Sequence, residues 1–130
     1  MAAARRPELV QFAGRGARAA GFTHAVLCGM GGSSLAPDAL RRSLGVRRGF
    51  LDLAVLDSTD PAAVLAAAAA QRSGTARSYL FSSKSGTYRR DAGVLFAFFW
   101  DRVRQHLVGE RAGEHFVAIT DTGTASTARA

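Results

Sequence analysis

HAVLCGMGGSSLAPD, residues 24–38, decides how this chain is read. His24 to Cys28 form an apolar run with the length of a buried strand, and the run stops at the glycine-rich GMGGSS (29–34). Pro37 and Asp38 then suit the first turn of a helix starting near Ser34, because a missing N–H is harmless there and a carboxylate offsets the positive end of the helix dipole. The stretch reads as strand, tight turn and helix, the first part of a βαβ unit.

An apolar run that stops at a polar loop recurs three times along the chain. Phe50 to Leu56 is a second apolar run, and it stops at DSTDP (57–61), where Ser58, Thr59 or Asp60 can cap a helix running through the alanine tract at 62–70. Ser78 to Phe81 stops at SSKSGT (82–87), and the helix VLFAFFWDRVRQHL (94–107) follows. In that helix Phe96, Phe99, Trp100, Val103 and Leu107 recur at helical spacing and read as core rather than as a binding platform. Phe116 to Ile119 stops at TDTGT (120–124).

Apolar strands separated by helices predict an α/β fold, a three-layer αβα sandwich on a mainly parallel, doubly wound sheet. Right-handed crossovers put all four polar loops at the carboxyl edge of that sheet, where open α/β folds bind ligands. In a flavodoxin-like 2-1-3-4 strand order, GMGGSS and SSKSGT flank the point where the order reverses.

Composition narrows the setting. A chain of 130 residues, 48% hydrophobic, can bury roughly 68% of its unfolded surface as one domain. The single cysteine, Cys28, excludes an internal disulfide and reads as a small buried hydrophobe, and no Cys/His spacing suggests a zinc site. A reducing, cytoplasmic location is expected. No apolar run approaches the ~20 residues that span a bilayer. The opening MAAARRPELVQFAGRGARAAGF is poor in acids, as a transit peptide is, but it lacks serine enrichment and is read as an N-terminal helical segment, 1–22. The net charge of +7 raises nucleic acid as a partner. The arginines, however, come as scattered pairs without interleaved aromatics, so a solvated surface with no nucleic-acid or membrane partner is the reading preferred.

Two loops carry the chemistry. Gly29, Gly31 and Gly32 let the backbone take positive φ and approach a ligand closely, while Ser33 and Ser34 add hydroxyls at a helix N-terminus, which makes an anion cradle. The dinucleotide fingerprint is excluded because Ser34 stands at its third glycine, and a Walker loop is excluded because no G-K-S/T follows. A plain tight connection is the alternative reading. SSKSGT offers hydroxyls, a glycine and Lys84, which is the only lysine among 17 basic residues. An ammonium is a compact point charge with rotatable donors, whereas guanidinium is a rigid planar fork that is bulkier in a tight turn. Asp57, Asp60 and Asp121 read chiefly as helix caps, and His24, His106 and His115 are paired with no nucleophile and receive no catalytic role.

VLCGMGGSSLAPD (26–38), VLDSTDPAAV (55–64), FSSKSGT (81–87) and FVAITDTGT (116–124) resemble, in that order, the amino-terminal sugar isomerase (SIS) domain of the glucose-6-phosphate isomerase family, bacterial forms fused to transaldolase included. The resemblance divides the chain into the 1–22 segment, a sugar-phosphate-binding SIS-like domain at 23–124 and a truncated tail at 125–130. It implies that Ser83, Lys84, Ser85 and Thr87 bind the phosphate of glucose 6-phosphate or fructose 6-phosphate, and that Gly31, Gly32 and Ser33 line the same pocket. Isomerisation in the family runs by ring opening and proton transfer between C1 and C2 through an enediol, with no metal or organic cofactor.

Departures from the family pattern shape the expectation. The usual SKSGTT-x-E has Tyr88 and Arg90 at its last two defined positions here, and TDPGT has Thr122 at its proline. The family's base glutamate, ring-opening histidine and lysine, and pocket arginine map to no residue of this chain, so no catalytic residue is assigned. The expectation is an incomplete isomerase, inactive alone, whose unfinished sheet invites self-association. A free-standing SIS module that senses a phosphosugar is the alternative.

Overall fold

The computed structural model describes residues 11, 20–69, 77–83, 91–107 and 110–121. Strand β1 (His24–Cys28) is followed by helix α1 (Gly32–Leu44), β2 (Asp52–Leu56), α2 (Pro61–Ala69), β3 (Arg77–Ser82), α3 (Asp91–His106), a 3-10 helix (Glu110–His115) and β4 (Phe116–Ile119). The four strands form one sheet in the order β2-β1-β3-β4, and every pair is parallel. The fold is the α/β sandwich expected from the strand–helix alternation.

Side chains alternate across a strand, so each face of the sheet has its own set. Val26, Cys28, Leu56, Tyr79 and Phe81 share one face, and Val64 and Ala68 of α2 with Leu95, Phe99 and Val103 of α3 close over them as the main core. Tyr79 lies 4.6 Å from Phe99 and 5.4 Å from Phe116, ring centre to ring centre, which carries the core across to β4. The connection from β1 to β2 runs opposite to the two later crossovers, so right-handedness puts α1 on the other face of the sheet. In keeping with this, α1 adds no residue to that core.

Helix boundaries differ from the sequence expectation for local reasons. Helix α1 begins at Gly32, not near Ser34, because Gly31 at φ 61° makes the turn into it without any side-chain cap. Pro37 and Asp38 therefore fall in the second turn. Pro37 has no N–H to offer the Ser33 carbonyl, four residues back. Asp38 pairs instead with Arg42 at 2.7 Å and Arg41 at 3.8 Å. In α3 the inward stripe is Leu95, Phe99 and Val103, while Phe96 is 38% exposed and stacks along Trp100.

The amino-terminal end of the sheet is fastened by side chains. His115, buried before β4, donates Nδ1–H to the Arg77 carbonyl at 2.7 Å, which ties the start of β4 to the start of β3. Arg77 is itself only 4% exposed. Its Nη1 reaches the Ala68 carbonyl near the end of α2 at 3.5 Å, and its Nη2 is buried without a partner among the described residues.

Candidate functional site

Parallel strands bring the four polar loops to one edge, and the order β2-β1-β3-β4 reverses between β1 and β3. Cys28 pairs with Phe81 at that point, so the residues that follow each strand emerge side by side. Gly29 continues the ladder by donating its amide to the Leu56 carbonyl at 3.2 Å. A Cβ on Gly29 would stand 3.1 Å from Ser33 Cβ, 3.1 Å from the Ser82 carbonyl oxygen and 3.5 Å from Ser82 Cβ. Only a residue without a side chain lets the β1 loop, the start of α1 and the end of β3 meet this closely.

Beyond Gly29 the loop turns at Gly31, whose φ of 61° is a left-handed value that favours glycine. Its carbonyl accepts from the amides of Ser34 and Leu35, both at 3.1 Å, and the Ser33 amide donates to the Met30 carbonyl at 3.3 Å. No carbonyl among the described residues accepts from the Gly31 or Gly32 amide. These two donors, at the positive end of a helix of 13 residues, suit an anion.

The two serines of this loop have separate roles. Ser34 Oγ donates to the Gly31 carbonyl at 3.0 Å, and the residue is 2% exposed, so its hydroxyl braces the turn and is not offered to a ligand. This corrects the expectation of two available hydroxyls. Ser33 is half-buried, and its hydroxyl has no partner among the described residues. Across the switch point Ser83 is likewise half-buried, and its amide is held by the Ile119 carbonyl at 3.0 Å. Of the seven residues read as a phosphosugar site, Gly31, Gly32, Ser33 and Ser83 thus stand at one edge. Lys84, Ser85 and Thr87 lie outside the described residues, as do Tyr88, Arg90 and Thr122.

Asp60 caps α2, its Oδ1 accepting from the Ala63 amide at 3.0 Å, while Ser58 Oγ accepts from the Asp60 amide at 3.0 Å. Asp57 is exposed at the end of β2. Cys28 is fully buried beneath the loop, and burial pushes its thiol up to about 12, so it is no nucleophile. His24 starts β1, His115 precedes β4 and His106 ends α3, where its Nδ1 donates to the Arg102 carbonyl at 2.8 Å. All three sit away from the carboxyl edge. Among the described residues, no group of three His, Cys, Asp or Glu is placed to hold a metal ion, and no helix is long and apolar enough to cross a membrane.

Sequence reasoning missed Ser82 as the close neighbour of Gly29. The available signal was the pairing of Cys28 with Phe81, one residue before each.

No protein-family model matches the sequence, and no curated protein matches it. Solved structures do resemble the fold. A glucose-6-phosphate isomerase from Chlamydia trachomatis superposes with a TM-score of 0.71 at 26% identity, covering 84% of this chain and 20% of that one. A hypothetical protein from Thermus thermophilus gives 0.73 at 26% identity, covering 91% of this chain and 28% of that one. The chain thus has the fold of a part of a glucose-6-phosphate isomerase and spans about a fifth of that enzyme's length.

Proposed function

We propose that this chain is the phosphosugar-binding portion of a glucose-6-phosphate isomerase. The observation that carries the reading is the meeting of two loops at the switch point, where Gly29 packs against Ser82 beside the Gly31 and Gly32 amides. Those amides and the Ser33 and Ser83 hydroxyls are neutral donors for phosphate oxygens. Lys84, one residue beyond Ser83, supplies the charge that a dianion requires. Phosphate gripped at this edge leaves the open-chain sugar to extend along the crevice, where the isomerising groups of a longer enzyme act on C1 and C2.

Titration calorimetry with fructose 6-phosphate and with inorganic phosphate tests the proposal. Saturable binding of the sugar phosphate, weakened about tenfold or more by Lys84→Ala, is expected. No saturable binding, or an unchanged affinity in the variant, rejects it.

A second reading is a sensing module that binds the phosphosugar without turning it over. The placement of His24, His106 and His115 away from the carboxyl edge favours it. A coupled assay for interconversion of glucose 6-phosphate and fructose 6-phosphate, run with the chain mixed with the remaining portion of a glucose-6-phosphate isomerase, separates the two. Turnover by the mixture eliminates the sensor.

A further inference from the structure

Helix α1 is turned the unusual way round. Beyond the half-buried Ser33 of the loop, Ser34, Pro37, Asp38 and Arg41, spaced as one helical face, are its buried or half-buried positions, and Ser34 is the only one fully buried. The large apolar residues point outward instead: Leu35 is 68% exposed, Leu40 59%, Leu44 78%, and Val46 just beyond the helix 54%. Scattered exposed leucines are ordinary, but a helix that buries its polar face and bares its leucines has an outer surface made for cover.

We infer that the outer face of α1 is a docking surface for an amphipathic helix with acidic flanks. Shape supports a helix as the occupant. At 100° per residue, Leu35 lies on one rim and Leu40 and Leu44 on the other, with the exposed small residues Ala36, Ala39 and Ser43 between them. Leucine rims around a small-residue floor leave a trough into which the ridge of another helix fits.

Charge selects which helix. The half of the surface toward Leu44 carries Arg41, Arg42, Arg47 and Arg48, and the one acid within residues 30–50 is Asp38, already paired with Arg41 and Arg42. Glu or Asp flanking the apolar stripe of the incoming helix would meet exposed guanidinium groups at Arg42, Arg47 and Arg48. A second copy of α1 is disfavoured, because it brings the same cations together on a chain of net charge +7. An anionic bilayer is disfavoured as well, since the stripe has small residues at its centre and no Trp or Tyr to anchor at a headgroup layer.

The test uses the full chain and a designed amphipathic peptide labelled with fluorescein, with a leucine/alanine stripe flanked either by Glu or by Lys. The Glu-flanked peptide should bind at least tenfold more tightly by anisotropy. Leu40→Glu and Leu44→Glu should each weaken that binding at least tenfold, and Arg42→Glu with Arg48→Glu should lower it and flatten its salt dependence. All these positions are exposed, and circular dichroism checks that the variants stay folded. Equal affinity for the two peptides overturns the inference. So does sedimentation showing a dimer that Leu40→Glu dissolves, or flotation with phosphatidylserine vesicles that Leu40→Glu abolishes.

Discussion

The position where a Cβ of Gly29 would stand is 3.1 Å from the Ser82 carbonyl oxygen, so the turn after β1 rests directly on the end of β3. A contact this short with backbone has little room to relax, and a second one at 3.1 Å to Ser33 Cβ holds the opposite side. Gly29→Ala should therefore spread the two loops by a few tenths of an ångström. Because the proposed phosphate grip needs donors from both, binding of fructose 6-phosphate should weaken at least tenfold, while urea unfolding loses only about 1–3 kcal/mol, the usual cost of overpacking. Unchanged affinity would show that the spacing of the loops is irrelevant to the ligand.

Cys28 provides a measurable pH dependence. Burial removes water from the thiolate and pushes the thiol from its ordinary 9.0 up to about 12. The unfolded chain ionises first as pH rises, so this group leaves stability unchanged below about pH 8. Between about 9 and 12 stability falls, with a slope approaching ~1.4 kcal/mol per pH unit. Urea midpoints at pH 8 and pH 10 should differ in the native protein and differ less in Cys28→Ala. Dithionitrobenzoate should label the thiol only on unfolding. Rapid labelling under native conditions would contradict the burial.

Asp60 is the one cap that the sequence named among three alternatives and the structure resolves. Its carboxylate holds the Ala63 amide at the start of an alanine-rich helix of nine residues. Such a helix is too short to persist on its own. Asp60→Ala should cost about 0.5–2 kcal/mol in denaturant unfolding, and Asp60→Asn much less. Neither change should alter phosphosugar affinity; a selective loss of binding would move Asp60 from a capping role into the site.

The sheet order was legible because it follows from rules that act at a distance. Alternating strands and helices with right-handed crossovers leave few arrangements, and the glycine-rich and lysine-bearing loops fit best on either side of a reversal. The turn after β1 was legible at Gly31 for a local reason, the positive φ it takes there, whereas Gly32 needs no such φ and begins α1. Ser34 was misread because a hydroxyl at a helix start looks available, and only the turn geometry shows it bonded back to Gly31. The orientation of α1 was hidden for another reason. Leucine spacing announces an apolar face, but whether that face meets the sheet depends on how the Gly31 turn launches the helix.

Arg77 offers a test of which effect dominates at a buried charge. Its guanidinium is nearly fully buried, with one long bond to the Ala68 carbonyl and Nη2 unpartnered, and no carboxylate pairs with it among the described residues. The negative end of α2 favours a cation there by about 0.3–1 kcal/mol, and up to ~2 in buried geometries. Stripping water from an unpaired ion costs several kcal/mol. Desolvation outweighs the helix dipole, so Arg77→Met, which keeps most of the side-chain volume, should raise stability by about 1 kcal/mol or more. Chemical denaturation at several salt concentrations checks this. If Arg77→Met instead destabilises by more than about 1 kcal/mol, the guanidinium is anchoring α2 more strongly than its single long hydrogen bond implies.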